Sequence, residues 1–360
     1  MNLNILVLPG DGIGQEVTRE AVRVLHRVAE KYHHTLQLTD GLLGGIAIHK
    51  TGTPFPDETA RLASEADATL LGAVGLPEFD NAPPAQRPER GLLGIRKVMG
   101  VYANLRPVRT YEALIESSPL KNERIRGTDM IIVRELTGGI YYGTPRGIEG
   151  SGDTERAVNT MAYTRAEIAR IGRMAFHLAR QRRKKVASVD KSNVLETSQL
   201  WRRVMVEVAA EFPEVELEHI LVDNCAMQLV LNPTRFDIVV TENMFGDILS
   251  DEGAVLAGSI GMLPSASIGE KKSSGAWVGL YEPVHGSAPD IAGQNKANPL
   301  GAIGSVAAML EYSFGLLKEA RAVNGAIESA LNAGRVTADL KPKGSPLTTE
   351  QVGAAVCEAI

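Results

Sequence analysis

"NILVLPGDGIGQEVTREAVRVL", residues 4–25, holds a strand, a glycine turn and a helix in one stretch. Ile5 to Leu8 form a short apolar run. Beyond the turn Val17, Ala21, Val24, Leu25 and then Val28 recur at helical spacing and mark one apolar face. Strand, tight turn and helix in this order is the repeating unit of an α/β protein. The glycines at 10, 12 and 14 invite a dinucleotide reading, but that fingerprint is G-x-G-x-x-G with an acid about 20 residues on. Counted from Gly10 the sixth position is Gln15, and the nearest suitable acid is Asp40. No Gly-Lys-Ser/Thr follows, which removes the nucleotide-triphosphate loop as well. The stretch is a strand-to-helix turn.

The same alternation continues outward. "DATLLGAVG" (67–75), "TDMIIVREL" (128–136), "KKVASVDK" (184–191), "ELEHILVD" (216–223) and "FDIVVTEN" (236–243) read as strands. "TRAEIARIGRMAFHLARQ" (164–181) opens with Thr164 and Glu167 at capping-box spacing and is expected to bury Ile168, Ile171, Ala175 and Leu178. "TSQLWRRVMVEVAAEF" (197–212) is another helix. Helices covering a largely parallel sheet are expected. Residues 75–91 and 264–298 read as loops, and loops of that length in a compact protein are usually functional.

A chain of 360 residues exceeds what one core comfortably holds, so two domains or one large α/β unit are expected. With 44% apolar and 22% charged residues the profile is that of a soluble protein, and a net charge of −5 gives no reason to expect nucleic acid or membrane as partner. The basic run "RQRRKK" (180–185) reads as a solvated helix end. Two cysteines, Cys225 and Cys357, exclude a disulfide framework and a Cys-rich metal site. With no signal peptide or membrane span visible, a cytoplasmic location is expected.

Chemistry concentrates in a few stretches. In "TENMFGDILSDE" (241–252) Asp247 and Asp251 are four apart, so on a helix their carboxylates share a face and repel. A divalent cation would remove that repulsion, and oxygen-only ligands select hard ions, Mg²⁺ or Mn²⁺; the alternative is a solvated acidic face. Asp223 follows a strand, where α/β proteins put their sites, but alone it is a turn or cap residue. Arg96, Arg106 and Arg134 offer planar forks for carboxylates, or surface ion pairs. Lys191 and Tyr141 have the chemistry of a base and an acid, although spacing proves neither role. "YEPVHGSAPDIAGQNKANP" (281–299) offers backbone N–H groups for phosphate and Asp290 for ribose hydroxyls, or is an ordered surface loop.

Taken together, "LPGDGIGQEV", "GAVGLPEFD", "ERGLLGIRK", "ANLRPV", "VRELTGGIYYG", "DKSNVLE", "VDNCAMQLV", "TENMFGDILSDE" and "HGSAPDIAGQNKANP" resemble, in order and end to end, the metal-dependent β-decarboxylating dehydrogenases, the family of isopropylmalate and isocitrate dehydrogenases. The resemblance implies an α/β, two-domain isocitrate/isopropylmalate dehydrogenase-like fold, not a Rossmann fold. Residues 1–101 and 259–360 would form the first domain with the main NAD-binding loop. Residues 102–258 would form the second, with the dimer interface, an arm-like hairpin after Tyr141, and metal and substrate residues. The substrate would lie in a cleft that closes on it.

The resemblance also assigns roles. Arg96, Arg106 and Arg134 would clamp substrate carboxylates. Asp223, Asp247 and Asp251 would hold Mg²⁺ or Mn²⁺, with Asp223 also touching substrate. Lys191 would be the base and Tyr141 the acid. Lys191 and Asp223 would come from the neighbouring subunit of a homodimer. NAD would meet Ile13, Gly75, Glu89, Glu282, His285, Gly286, Ser287, Ala288, Asp290, Ile291, Ala297 and Asn298. Asp290 followed by Ile291 favours NAD over NADP, because a carboxylate repels a 2′-phosphate. Leu92 and Leu93, one turn before Arg96, suit an isopropyl group and leave a γ-carboxylate against apolar surface. The implied activity is oxidative decarboxylation of (2R,3S)-3-isopropylmalate to 4-methyl-2-oxopentanoate and CO₂, in leucine biosynthesis. The rivals are a sister enzyme for another malate and a silent regulatory subunit; the second conflicts with the presence of Lys191, Tyr141 and all three aspartates.

Overall fold

A computed structural model describes residues 1–272 and 276–360. In chain order the strands are β1 (Asn2–Gly10), β2 (Thr35–Asp40), β3 (Ala68–Ala73), β4 (Ala103–Arg109), β5 (Asp129–Glu135), β6 (Gly147–Glu149), β7 (Arg156–Val158), β8 (Lys185–Asp190), β9 (Glu216–Leu221), β10 (Ile238–Thr241), β11 (Pro264–Lys271) and β12 (Trp277–Pro283). The helices are α1 (Gly14–Tyr32), α2 (Gly45–Thr51), α3 (Asp57–Glu65), α4 (Glu89–Met99), α5 (Asn122–Ile125), α6 (Arg165–Arg180), α7 (Glu196–Ala209), α8 (Val222–Leu231), α9 (Asn243–Leu256), α10 (Leu300–Tyr312), α11 (Leu317–Asn332) and α12 (Thr349–Ala359). Contacts divide them into two compact units. One comprises Met1–Val101, Tyr111–Pro119 and Ala257–Ile360, the other Tyr102–Thr110 and Leu120–Leu256. Tyr111–Pro119 departs from the boundary expected from sequence, because Leu114 and Ile115 are buried and this segment packs on α11.

In the first unit the strand order is β2-β1-β3-β12-β11, parallel except for the β11–β12 pair. Two strands from the far end of the chain complete a sheet begun by the first hundred residues, which the two successive βαβαβ halves of a Rossmann fold do not do. The opening helix buries the face its spacing marks: Val17, Ala21, Val24, Leu25 and Val28 are fully buried. Each large aliphatic side chain removed from water there contributes about 1.5–3 kcal/mol. α1 ends where His33 turns left-handed (φ 59°).

Residues 264–283, expected as loop, are largely the β11–β12 hairpin, with 273–275 outside the described residues. Ser265, Ala266, Ser267 and Ile268 are all buried in β11. Small and polar residues carry little strand signal, yet they let the apolar α10 pack closely on this strand.

In the second unit the order is β4-β5-β10-β8-β9, with only the β4–β5 pair antiparallel. Thr164 and Glu167 make the expected capping box at α6. Ile168, Ile171 and Ala175 are buried, but Leu178 is only half-buried and Ala179 takes the inward position instead. The basic run closes α6 and is largely exposed, as expected, with only Arg182 half-buried. Arg182 Nε donates to the buried Asp237 carboxylate at 2.9 Å and Nη2 to Asp129 at 2.7 Å, while the Arg183 backbone N–H donates to Asp237 at 2.9 Å. These acids come from other segments, so no local pattern announces them.

The opening glycine turn is sterically closed. Gly10 has φ 69°, and a Cβ there would lie 1.9 Å from the Ala73 carbonyl oxygen; at Gly52, with φ 78°, nothing lies within 4 Å. Gly52→Ala is therefore expected to cost about 1–2 kcal/mol, the left-handed strain alone. Gly10→Ala should cost at least ~1–3 kcal/mol more, because backbone must move. Thermal unfolding of the two variants side by side checks the order; equal losses would refute the steric argument.

Candidate active site

The β4–β5 pairing sets Asn104 opposite Arg134, and Arg106 two residues along β4, so the three share one face of the sheet. α9 packs over β4 and β5. Gly246 permits this: a Cβ there would be 2.7 Å from Arg134 Cβ and Cγ. Asp247 and Asp251, one turn apart on α9, thereby meet the arginines. Arg106 Nη1 donates to Asp251 Oδ1 at 3.1 Å and to Ser250 Oγ at 2.9 Å, and its Nη2 lies 3.9 Å from Asp247 Oδ1. Arg134 Nη1 donates to Asp247. Asn104 Oδ1 accepts from Arg106 Nε at 3.0 Å and Asn243 Oδ1 from Arg134 Nε at 2.9 Å, which fixes both forks.

Tyr141 sits in a short 3₁₀ turn after β5, and its hydroxyl donates to Asp247 Oδ2 at 3.1 Å. Burial first, then the Asp247 charge, hold this phenol above its usual range. It therefore carries its proton at neutral pH, as an acid must.

Lys191 and Asp223 follow the neighbouring parallel strands β8 and β9, at their C-terminal ends. Lys191 Nζ lies 3.0 Å from Asp223 Oδ1, and that hydrogen bond holds the exposed Asp223 carboxyl below its ordinary value. Among the described residues no group of three His, Cys, Asp or Glu side chains could hold a metal, so one chain does not gather Asp223 with Asp247 and Asp251. The carboxylates present are hard oxygen donors of the kind Mg²⁺ and Mn²⁺ take.

In the first unit Leu92 and Arg96 are four apart on α4, with Leu93 beside them; Leu92 is half-buried and Leu93 exposed. Arg96 Nη2 donates to Glu282 Oε1 at 2.6 Å, so two residues assigned to different ligands neutralise each other.

The 285–298 segment rests on the opening turn. The Ile13 N–H donates to the Ser287 carbonyl at 2.8 Å, and Glu16 accepts from the Gly293 and Asn295 N–H groups at 2.6 and 2.8 Å. Asp11 accepts from the Gly45, Ile46 and Gly75 N–H groups, each at 2.8 Å. Gly75 (φ 130°) faces Glu89 and Ser287, with 3.3 and 3.6 Å from a would-be Cβ to their side-chain oxygens. Ala297 is buried, with its carbonyl accepting from Thr349 Oγ1 at 2.7 Å, and Asn298 Nδ2 donates to Asp339 at 3.0 Å. Ala288 and Ile291 are half-buried, whereas Gly286 and Asp290 are exposed. The buried His285 donates through Nδ1 to the Gly286 carbonyl (2.9 Å), and its Nε2 has no protein partner. A buried ring nitrogen so placed fits a ligand that hydrogen-bonds it. Sequence reasoning missed Asp11, Glu16, Asn104, Asn243 and Ser250. All but Asn104, which meets Arg106 two residues along the same strand, act on groups distant in the chain, and only "TEN" before an apolar helical run hinted at a helix start.

A sequence profile described as isocitrate/isopropylmalate dehydrogenase matches residues 4–356. The chain belongs to that family. It is 58% identical over 97% of its length to a 3-isopropylmalate dehydrogenase of Geobacillus kaustophilus, covering 92% of that protein. It is 56% identical over its whole length to one of Halalkalibacterium halodurans, covering 98% of it. A crystal structure of isocitrate dehydrogenase from Methylococcus capsulatus matches with TM-score 0.86 at 34% identity, covering 99% of both chains. Family and fold together establish the isocitrate/isopropylmalate dehydrogenase-like α/β architecture expected from sequence.

Burial pushes the His285 imidazole below the usual histidine range. Above about pH 6.5 both folded and unfolded states are neutral there. Below it the unfolded chain takes a proton that the folded chain refuses, so stability falls with pH. His285→Gln should therefore lose less stability than the parent between about pH 7.5 and 5.5. Melting temperatures across that range check this, and parallel curves would refute it.

Proposed function

We propose that this chain oxidatively decarboxylates (2R,3S)-3-isopropylmalate with NAD⁺, forming 4-methyl-2-oxopentanoate, CO₂ and NADH, a step of leucine biosynthesis. The observation that carries the reading is the pairing of Arg106 and Arg134 with Asp247 and Asp251. Two guanidiniums and two carboxylates balance. A divalent cation and a dicarboxylate substrate can enter together without disturbing that balance: the aspartates turn to the cation and the arginines to the substrate.

When bound, the cation supplies a Lewis acid at the substrate oxygens and NAD⁺ supplies the hydride acceptor. Arg96, Arg106 and Arg134 bind and orient the carboxylates. Lys191 takes the hydroxyl proton as the C2 hydrogen leaves as hydride. The C3–C4 bond then breaks with its electron pair kept on the substrate, and Tyr141 returns a proton to C3. In the isolated chain Asp223 pairs with Lys191 Nζ at 3.0 Å; a carboxylate engaged elsewhere would leave the amine free to meet the substrate hydroxyl. Leu92 and Leu93 give the substrate's isopropyl group an apolar wall. The exposed Asp290 at the cofactor loop favours ribose hydroxyls over a 2′-phosphate.

Two surfaces support a homodimer with shared sites. Met227, Val230 and Leu231 on α8, and Ile248 and Val255 on α9, are exposed apolar residues on two helices that pack together. Ile248 lies between Asp247 and Asp251 in the chain, so a subunit covering it would stand beside the carboxylates. Asp223 and Lys191 of the partner subunit would complete that site. Among the described residues no helix is long and apolar enough to cross a membrane.

Purified protein should form NADH from 3-isopropylmalate, lose that activity in EDTA and regain it with Mg²⁺ or Mn²⁺. A higher kcat/KM for isocitrate, tartrate or a longer alkylmalate would overturn the substrate assignment, and full activity in EDTA the metal. Lys191→Ala and Asp247→Asn should each be inactive alone. Refolded together they should recover about a quarter of parental activity, since half the dimers are mixed and each holds one intact site. No recovery would refute site sharing.

A further inference from the structure

The Asn243 side chain is buried and uses its whole amide. Oδ1 accepts from Arg134 Nε at 2.9 Å, while Nδ2 donates to the Gly138 and Leu136 carbonyls at 3.0 and 3.2 Å. One side chain thus joins three things: an arginine of the site, the turn that carries Tyr141, and the first residue of the helix that carries Asp247. The Asn243 N–H donates to Tyr163 Oη at 2.9 Å, and that hydroxyl donates to Glu242 Oε2 at 2.9 Å. The other Glu242 oxygen accepts from the Phe245 N–H at 2.9 Å, closing the first turn of α9. The Gly138–Gly139 turn lies against the Tyr163 ring: a Cβ on Gly139 would be 2.1 Å from its hydroxyl, and one on Gly138 would be 2.7 Å from its ring. Gly139 N–H donates to the Ala162 carbonyl at 3.1 Å.

We propose that Asn243, seated on Tyr163, is a positioning residue that locks the Tyr141 turn to Arg134, so that proton delivery and carboxylate binding share one geometry. This rests on the roles given above to Arg134 and Tyr141. The amide is suited to it chemically. It has one acceptor for the guanidinium and two donors for backbone carbonyls, and no other side chain of its size offers both. Asp in its place keeps the acceptor and loses both donors, setting a carboxylate oxygen against two carbonyls. Arg134 stays held and the Tyr141 turn is released.

Asn243→Asp should lower kcat at least about tenfold while KM for 3-isopropylmalate stays within about threefold. In a Tyr141→Phe background the same change should add less than about threefold, because both alter one step. Multiplicative losses, or a KM effect with kcat preserved, would overturn the proposal. Tyr163→Phe removes the seat while keeping the ring, and should give the same split and the same non-additivity; it carries the test if Asn243→Asp does not fold. Should Tyr141→Phe leave kcat unchanged, the proton-donor reading falls instead. Positioning is then decided by hydrogen exchange at the Gly138–Tyr142 amides. Exchange at least about tenfold faster in the variant sustains it, and unchanged exchange overturns it.

Discussion

Asp247 and Asp251 stand one turn apart on a helix, and two carboxylates so placed require positive charge nearby. In the isolated chain Arg106 and Arg134 provide it. Much of the second unit's local construction follows from that need. The antiparallel β4–β5 pair brings both arginines to one face, Gly246 lets α9 approach that face, and Asn104 and Asn243 fix the planes of the two forks. Under the proposed function the same balance would survive if a cation and a dicarboxylate entered together.

A comparable economy marks the first unit. The glycine turn at residues 10–14 holds no phosphate fingerprint, yet with the start of α1 it seats the 285–298 segment. Ile13 and Glu16 fasten residues 287–295, and Asp11 fastens Gly45, Ile46 and Gly75 through one backbone N–H group each. A carboxylate that accepts several N–H groups is a strong organiser of irregular backbone, since each unpaired N–H would cost about 1–3 kcal/mol. The resemblance of this stretch to a dinucleotide motif is superficial, but it lies directly against residues 287–295.

Legibility in the sequence followed the range of the interaction. The α1 face, the α6 capping box and the helical pairing of Asp247 with Asp251 depend on residues three or four apart, and all three were readable. The β11–β12 hairpin was not, because Ser265, Gly269 and Gly279 carry little strand propensity; Gly269 lies against the Met99–Gly100 backbone and Gly279 against the Tyr281 ring, where a Cβ would not fit. Arg182 read as a solvated cation because its acids, Asp129 and Asp237, lie more than fifty residues away.

By itself the sequence determined the α/β alternation, the rejection of a Rossmann fingerprint, and, through nine ordered motifs, the family. Those are properties of periodicity and residue order, which the chain carries before it folds. The tertiary structure alone decided which groups pair: Arg96 with Glu282, Lys191 with Asp223, and Glu16 with backbone N–H groups 277 and 279 residues further on. It alone showed Asn243 bonded to a carbonyl 105 residues away. Hydrogen bonds and ion pairs act over a few ångströms, so chain distance says nothing about them until packing has brought the partners together.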